Sequence, residues 1–317
     1  MSKDIVFLIN KSEITAGTRG ASLGPGAVMT AARKNHKSFF GDFPVEEISD
    51  LNHLLDQPTS YKFAKRIDGL VKIYESLHHK ISGILKQGKF PLIIAGDHGS
   101  AGGTIAGIKA TYPDKRLGVV WIDAHADLHT PFTTPSGNIH GMPLATAIND
   151  DNLECKINDV DTSTVELWSR LKTIGEVAPK ILPQDLIFIA VRDTEAQENA
   201  LIKRLGIKNY EVSEVIEKGT AKVVSEIEDK LKDCDLIYIS FDVDSMDPVF
   251  TSHGTGTPVE NGLTPKQAEE LLTAFAKNEK TACIEFVEVN PCLDEKINKM
   301  AEVTAELVEV VIETLTK

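Results

Sequence analysis

The sequence contains few cysteines, no surplus of basic residues and no long hydrophobic run, and each of these absences excludes a class of protein. Only four of its 317 residues are cysteines, and they form neither a CxxC pair nor a dense disulfide framework. Acidic residues outnumber basic ones by 47 to 34, so the chain lacks the basic face that binding to phosphate backbones requires. We therefore expect a protein of the reducing cytoplasm that does not bind nucleic acid.

No segment has the composition of a membrane span, a linker or a repeat. The chain has no run approaching about 18 apolar residues, and its first ten residues, MSKDIVFLIN, lack the pattern of a secretory signal. Hydrophobic residues make up 42% of the chain and charged residues 26%, the composition of an ordinary globular protein. We expect no association with membranes.

Short β-branched runs alternate with longer segments of helical periodicity, which is typical of a parallel sheet covered by helices on both faces. Amphipathic helices are predicted over 61–86 and at the carboxyl terminus. Strands are predicted at 4–8, 91–95, 117–123, 185–191, 235–242 and 281–287. The long connections 129–152 and 243–263 follow strands, and in open α/β sheets the ligand lies beyond the carboxyl ends of the strands. We expect the functional site there.

Possible metal ligands stand at the ends of three predicted strands. The run DAHAD alternates two carboxylates with an imidazole, and in an extended backbone side chains at i, i+2 and i+4 point the same way. We therefore expect Asp123, His125 and Asp127 to converge on one point. The runs SFDVD and AGDHG close two other strands and add three further ligands. The complete set is His98, Asp123, His125, Asp127, Asp242 and Asp244.

Taken singly, each aspartate is more simply interpreted as a helix cap or turn former, and each histidine as a structural residue. Together they bring several carboxylates to one place, which is very costly unless cations neutralise them. An oxygen-rich set favours Mn²⁺ over Zn²⁺. Two such ions about 3.5–4 Å apart can hold a hydroxide that attacks a substrate at neutral pH. The sequence predicts a hydrolase with two divalent ions.

Other motifs are incomplete. His125 and His129 have the i, i+4 spacing of zinc metalloproteases, but the glutamate that should follow the first histidine is missing and Pro131 disfavours a helix. The glycine-rich segment 17–24 lacks both the Gly-Lys-Ser/Thr ending and the GxGxxG spacing, which leaves nucleotide binding as a minor alternative. No GxSxG elbow is present, so a serine hydrolase has no support.

The order of the motifs resembles that of the arginase (ureohydrolase) family. The similarity rests on GASLGP at 20–25, GDH at 96–98, DAHAD at 123–127, SFDVD at 240–244 followed by DP at 247–248, and EVNP at 288–291. It covers nearly the whole chain. The resemblance implies one three-layer α/β/α domain over residues 1–317, with a mostly parallel sheet of about eight strands and two Mn²⁺ per chain. The family's habit of forming trimers or hexamers, together with the apolar face of the last helix, predicts a homo-oligomer.

The resemblance also assigns roles to individual residues. It gives Asp127 the transfer of a proton to the leaving nitrogen, Glu288 the pairing with a guanidinium group, and His140 a proton-shuttle or product-side role. It places His98 and Asp127 on one ion and His125 on the other, with the remaining aspartates completing or bridging the pair. The implied substrate-binding residues are His129, Ser136, Asn138, Glu195, Glu198 and Thr257.

Two residues depart from the family pattern. His129 stands where arginases usually carry Asn, and Glu195 where they typically carry Asp, which moves the carboxylate by more than about 1 Å. The first choice of reaction is the hydrolysis of L-arginine to L-ornithine and urea, with a small cationic guanidino compound as substrate. The alternatives are an agmatinase, a guanidino-acid hydrolase or a formimidoylglutamase, and further a zinc deacetylase of the same fold or a non-catalytic binding protein.

Overall fold

A parallel sheet of eight strands forms the centre of the computed structural model, which describes residues 2–35, 37 and 39–317. The strands are β1 (Ile5–Asn10), β2 (Val45–Glu47), β3 (Phe90–Ala95), β4 (Leu117–Ile122), β5 (Leu186–Ile189), β6 (Lys208–Tyr210), β7 (Leu236–Asp242) and β8 (Thr281–Val287). Their order across the sheet is β2-β1-β3-β8-β7-β4-β5-β6, and all neighbours run parallel. The predicted α/β class and parallel sheet are confirmed.

Helices cover both faces of the sheet. They are α1 (Gly24–Lys34), α2 (Phe39–Asp42), α3 (Ile67–Lys86), α4 (Ala101–Thr111), α5 (Pro143–Ile148), α6 (Thr162–Thr173), α7 (Ala196–Leu205), α8 (Val212–Lys218), α9 (Thr220–Lys230), α10 (Pro265–Lys277) and α11 (Lys299–Leu315). Alternate residues of each central strand face opposite layers: Phe7 joins the core formed with α1, α10 and α11, while Leu8 joins the core formed with α3 and α4. The predicted three layers are therefore present.

The structure differs from the sequence-based prediction mainly at the edges. All six predicted strands are present with small shifts at their ends, but β2 and β6 were not predicted. Both have only three residues and lie at the edges of the sheet, so they carry no alternating or continuous apolar pattern. The long helix α3 begins at Ile67, because Arg66 adopts a left-handed backbone conformation with φ of 61°.

The apolar face of α11 is covered within the chain. Leu307, Val308 and Val311 are buried in the core that also contains α1 and α10. The salt bridge between Lys34 and Glu302, with 2.7 Å between Nζ and Oε1, further links α1 to α11. The face therefore closes the α/β/α sandwich, and the homo-oligomer stays a prediction that rests on the family resemblance.

The site is positioned by the four central strands. In the order β3-β8-β7-β4 these strands are direct neighbours, and the segments that follow their carboxyl ends meet at one edge of the sheet. The strands themselves are buried on both faces, so the chain leaves the core only where each strand ends. In the described part of the chain, no helix is both long and apolar enough to cross a bilayer.

Candidate metal centre and active site

The six predicted metal ligands lie together at the carboxyl ends of β3, β4 and β7. His98 begins a 3-10 turn after β3, Asp242 is the last residue of β7, and Asp244 lies in the 3-10 turn that follows it. The four aspartates and His98 are at most 6% exposed. His125 is the most accessible of the set, with 23% of its side chain exposed. The site is therefore a buried floor that opens to solvent beside one imidazole.

The ligands form two groups that share Asp123. His98 Nδ1 lies 3.0 Å from Asp123 Oδ2 and 3.2 Å from Asp127 Oδ2, and these three residues form the first group. In the second, His125 Nδ1 lies 3.1 Å from Asp244 Oδ2 and 3.5 Å from Asp123 Oδ1. The two oxygens of Asp123 thus point at different histidines, the arrangement that a bridging carboxylate requires.

An extended backbone would bring Asp123, His125 and Asp127 to one point. This expectation is wrong. The strand β4 ends at Ile122, so the alternation of side chains does not continue through the next five residues. Asp127 instead adopts a left-handed conformation with φ of 50°, which is unfavourable for a residue other than glycine. This turn carries Asp127 into the group of His98 while His125 joins the other group. The strained backbone is therefore at Asp127, the residue expected to transfer a proton.

The geometry around His98 fits a cation. Its buried Nδ1 makes no hydrogen bond of acceptable geometry, although the carboxylate oxygens of Asp123, Asp127 and Asp242 lie within 3.0–3.2 Å. A buried nitrogen aimed between three carboxylates leaves a polar group unsatisfied, which is costly. A divalent ion between these donors would satisfy the nitrogen and neutralise the aspartates. The residues present therefore suit a metal site.

The pKa values show how strongly the aspartates repel one another. Burial, reinforced by the charge of Asp123, raises the pKa of Asp127 to about 8. Burial and the neighbouring Asp244 raise the pKa of Asp242 well above its usual value. Burial acts to lower the pKa of His98, but the adjacent carboxylates of Asp123 and Asp242 raise it well above the usual value. The cluster thus holds protons or cations tightly.

Trp121 and Ser240 support the ligands from behind and were not predicted as site residues. The Trp121 ring stacks on His98 with 4.0 Å between centroids, and its Nε1 donates to Asp123 Oδ2 at 2.9 Å. His98 Nε2 lies 2.7 Å from Ser240 Oγ. The same alternation that identified Asp242 places Ser240, two residues earlier, on the same face of β7. That spacing was the signal that could have revealed it.

Glu288 and His140 lie beside the metal ligands. Glu288 follows β8 in a left-handed conformation with φ of 68°, and its Oε1 accepts a hydrogen bond from the backbone N–H of His98 at 2.9 Å. The same oxygen lies 3.5 Å from His140 Nδ1. Burial acts to lower the pKa of His140, but the hydrogen bond and charge of Glu288 raise it. A carboxylate and an imidazole are therefore held against the first ligand group.

One wall of the pocket is formed by His129, Glu195 and Glu198. His129 Nε2 lies 2.9 Å from Glu195 Oε2 and 3.5 Å from Glu198 Oε2. Glu195 is the N-cap of α7 and Glu198 its third residue, and together they form a capping box. These three residues line the same pocket, of about 300 Å³, as the metal ligands. The two residues that depart from the family pattern thus contact each other.

Ser136, Asn138 and Thr257 line other parts of the same pocket. Lys65 Nζ donates to Asn138 Oδ1 at 3.1 Å, which leaves the Asn138 amide nitrogen as the free donor. Gly137, which lies between Ser136 and Asn138, has φ of 76°. A Cβ there would come within 2.2 Å of the Lys62 carbonyl oxygen, so only glycine fits this turn. Thr257 Oγ1 donates to Asp244 Oδ2 at 3.1 Å. The pocket therefore carries neutral donors in addition to its carboxylates.

Two further residues complete the description of the pocket. Asp193 was not predicted, yet its Oδ2 lies 3.7 Å from His125 Nε2 at the pocket rim. In the glycine-rich segment, Glu13 Oε2 accepts hydrogen bonds from the backbone N–H groups of Gly20, at 2.7 Å, and Ser22, at 2.9 Å. A carboxylate of the chain already occupies these donors, so the segment does not form a phosphate-binding loop.

The fold and the two ligand groups are those of a metal-dependent hydrolase of the α/β/α class. The sequence model of the Arginase family matches residues 3–313. The chain is 33% identical over 309 residues to the arginase of Bacillus subtilis (strain 168), covering 98% of this chain and 97% of that protein. It is 36% identical over 256 residues to human arginase-1, covering 80% and 72% of the two chains.

The comparison of structures gives the same result. The solved structure of the arginase from Bacillus caldovelox superimposes with a TM-score of 0.80 at 32% identity and covers 98% of each chain. The chain belongs to the arginase family, and it is a ureohydrolase.

Proposed function

We propose that this protein hydrolyses L-arginine to L-ornithine and urea at a centre of two Mn²⁺ ions. The observation that carries the proposal is the pair of ligand groups sharing Asp123 on the floor of a pocket whose wall carries Glu195 and Glu198. The pocket offers carboxylates to both cationic ends of arginine. The relatives that match over most of the chain are themselves named arginases.

Six residues of the floor would hold the two ions. His98 and Asp127 suit one ion and His125 suits the other, while Asp123, Asp242 and Asp244 complete or bridge them. Four carboxylates with only two imidazoles form an oxygen-rich set, which supports Mn²⁺ more than Zn²⁺. When bound, two such ions would lower the pKa of bound water and so supply a hydroxide nucleophile at neutral pH for attack on the guanidinium carbon.

Asp127 is suited to carry a proton during the reaction. Its carboxyl group lies on the floor in the group of His98, 3.2 Å from His98 Nδ1, where it can accept a proton from the nucleophile and release it again. In the proposed reaction it takes the proton of the nucleophile and delivers it to the leaving nitrogen. His140, 22% exposed, lies between this floor and solvent and would exchange that proton.

Glu288 is placed to orient the guanidinium group. Its Oε1 is fixed by the backbone N–H of His98, so the carboxylate is held against the metal floor before substrate binds. Thr257, whose hydroxyl is tied to Asp244, lines the pocket on the guanidinium side. Both residues would hold the guanidinium carbon over the floor.

The outer part of the pocket would bind the amino-acid end of arginine. Ser136 and the free amide nitrogen of Asn138 would donate to the α-carboxylate, and Glu195 and Glu198 would accept from the α-ammonium. His129 contacts both glutamates, which favours a second candidate in which the substrate lacks an α-ammonium, such as a guanidino acid.

A substrate panel with metal analysis tests the proposal. L-Arginine, agmatine, guanidinobutyrate and formiminoglutamate would each be incubated with Mn²⁺-loaded protein, and the products identified by mass spectrometry. We expect ornithine and urea from arginine at the highest kcat/KM, with two manganese ions per chain. Absence of ornithine from the arginine reaction would overturn the proposal, and a single zinc per chain would favour a deacetylase instead.

We also propose that the protein acts in the cytoplasm as a trimer or hexamer, apart from nucleic acid and membranes. Its four cysteines are free, which supports a reducing compartment. Val249, Phe250 and Ile297 are 54–89% exposed, and Lys296 Nζ ties their two loops together by donating to the Val249 carbonyl oxygen at 3.4 Å. Light scattering after size-exclusion chromatography would test the assembly, and a mass of 34.6 kDa would contradict it.

A further inference from the structure

The cluster of His129, Glu195 and Glu198 contains the donor set of a transition-metal site, separate from the six ligands of the floor. One imidazole nitrogen and two carboxylates offer ligand atoms that all lie within 4.8 Å of one another. His129 is 7% exposed and Glu198 3% exposed, while half of the Glu195 side chain is open to the pocket. A small ion can therefore reach the cluster from the pocket and be enclosed on the other side.

The distances suit a tetrahedral ion. With ligand bonds of 2.0–2.2 Å, the ligand atoms around tetrahedral Zn²⁺ stand about 3.3–3.6 Å apart. His129 Nε2 lies 2.9 Å from Glu195 Oε2 and 3.5 Å from Glu198 Oε2, so an outward shift of one carboxylate by a few tenths of an ångström gives this spacing. Glu195 is the half-exposed member and is free to make that shift.

The donors are held in place by their surroundings. Glu198 Oε1 accepts from the backbone N–H of Leu128 at 3.1 Å, and its Oε2 accepts from the N–H of Glu195 at 3.2 Å. His129 Nδ1 lies 3.1 Å from Thr133 Oγ1. A hydroxyl can donate or accept, so it can hold the tautomer in which Nε2 is free to bind a metal, as in many histidine metal sites.

The cluster also has more acidic groups than the imidazole can balance. Two carboxyl groups share this small volume and Glu198 is only 3% exposed, so ionising both without a cation is costly. A divalent cation would neutralise both carboxylates at once. Among available ions, a mixed nitrogen and oxygen set binds Zn²⁺ more tightly than Mn²⁺.

We propose that His129, Glu195 and Glu198 form a third, inhibitory Zn²⁺ site on the wall of the pocket. Its donors include both residues in which the chain departs from the family pattern. The inhibitory part rests on the proposed function, because it is there that Glu195 and Glu198 receive the α-ammonium of arginine. A zinc ion on the same oxygens and the substrate ammonium exclude each other.

Direct metal counting tests the site without relying on activity. Protein loaded with Mn²⁺ would be dialysed against a series of Zn²⁺ concentrations, and both metals would be measured per chain by mass spectrometry. We expect the total metal content to rise from two ions per chain to three at saturating Zn²⁺, whether or not Zn²⁺ also replaces Mn²⁺ on the floor. His129→Asn and Glu195→Gln should each weaken this binding at least about tenfold, since even outer-shell changes at metal sites cost 10–100-fold.

His253→Asn is the matched control, because His253 also pairs with a glutamate, Glu295, at 3.1 Å but is exposed and has a single carboxylate partner in that contact. The control should keep the extra Zn²⁺. Circular dichroism would establish that each variant is folded, and Glu195→Gln, at the exposed member, keeps the test decisive if His129→Asn does not fold. A total of two metal ions per chain at saturating Zn²⁺, or a third ion bound equally well by a folded variant, would overturn the third site.

Steady-state kinetics test the inhibitory part. Zn²⁺ at concentrations that fill the extra site should raise the apparent KM for L-arginine and leave kcat unchanged. Binding of the extra Zn²⁺ without any turnover of guanidino compounds would refute the proposed function and leave the site standing. Turnover of arginine by protein that binds no additional Zn²⁺ would refute the site alone, and Zn²⁺ binding without a change in KM would refute its inhibitory role.

Discussion

The floor of the pocket and its wall differ in how their side chains are held. On the floor, Asp123 is 1% exposed and accepts hydrogen bonds from Trp121 Nε1 and the His125 N–H. On the wall, 52% of the Glu195 side chain is exposed. The floor is carried by the ends of buried neighbouring strands, whereas the wall is carried by loops and the first turn of α7.

This difference indicates which part of the site can vary without loss of the fold. Floor residues are fixed by the sheet, so a change there disturbs several partners at once. Wall residues are fixed by a few local bonds, and it is there that His129 and Glu195 depart from the family pattern. We therefore expect floor substitutions to abolish chemistry and wall substitutions to change substrate affinity.

The largest effect is expected for Asp127→Asn on the floor. The amide cannot carry the proton that the carboxyl group transfers, so kcat for arginine should fall by about 10²–10⁴-fold, the usual contribution of a general acid–base group. Kinetics at saturating Mn²⁺, with metal content measured in parallel, would check this. Asp159→Asn changes a fully exposed aspartate and should leave kcat unaltered. A variant at position 127 with a near-normal kcat would remove the distinction between floor and wall.

The next largest effect is expected for Ser240→Ala, behind the floor. Without the hydroxyl 2.7 Å from Nε2, His98 loses the partner that orients its ring, and metal affinity should fall about 10–100-fold. Mn²⁺ titration of the metal-stripped protein would measure it. Ser82→Ala removes a buried serine hydroxyl bonded to the Gly107 carbonyl oxygen, on α3, and serves as the control. Equal Mn²⁺ affinities in the two variants would show that the support behind His98 is dispensable.

A smaller effect is expected for Asn138→Ala, in the outer part of the pocket and away from the floor. Loss of one amide donor to a carboxylate costs about 1.5 kcal/mol, so KM for arginine should rise roughly tenfold while kcat stays within about a factor of two. Asn278→Ala, at the start of the turn before β8 and away from the pocket, is the matched control. A large fall in kcat with an unchanged KM would mean that Asn138 acts on the chemistry, contrary to the expectation that residues away from the floor affect substrate affinity.

The smallest effect concerns the stability of metal-stripped protein as a function of pH. Asp127 has a pKa of about 8 when folded and an ordinary value of 3.8, so between these values the folded chain holds a proton that the unfolded chain has released. Stability should therefore fall as pH rises from about 4 to 8, by a few degrees in Tm between pH 5.5 and 8.

Calorimetry with and without Mn²⁺ would measure this dependence. Mn²⁺ should reverse it, because the ions bind the ionised carboxylates. Asp127→Asn should reduce the slope in the metal-stripped protein. A Tm that rises with pH in the absence of metal would show that the carboxylates of the floor do not repel one another as their burial implies.

The strands and most floor residues could be predicted because their signals are local. A strand buried on both faces is a continuous apolar run, and Asp242 or His98 is visible as a polar group that ends such a run. The three-residue strands β2 and β6 have no such run. Trp121 could not be recognised as a site residue, because an aromatic residue within a buried strand is indistinguishable from ordinary core.

The contacts of the wall could not be predicted in the same way. His129 and Glu195 are 66 residues apart, and their 2.9 Å contact depends on how the loop after β4 meets the start of α7. The left-handed conformations of Asp127 and Glu288 could not be predicted either, because positive φ is uncommon in any residue other than glycine, even in aspartate. These two turns direct Asp127 and Glu288 toward the floor.

The sequence by itself determined the class of fold, the acidic character of the protein and the identity of the groups at the strand ends. These follow from periodicity and from the chemistry of side chains, which act over a few residues. Only the tertiary structure decided that Asp123 is shared by two histidines and that His129 faces two glutamates. Strand order and loop packing bring together residues that are distant in sequence, and no local sequence pattern specifies these contacts.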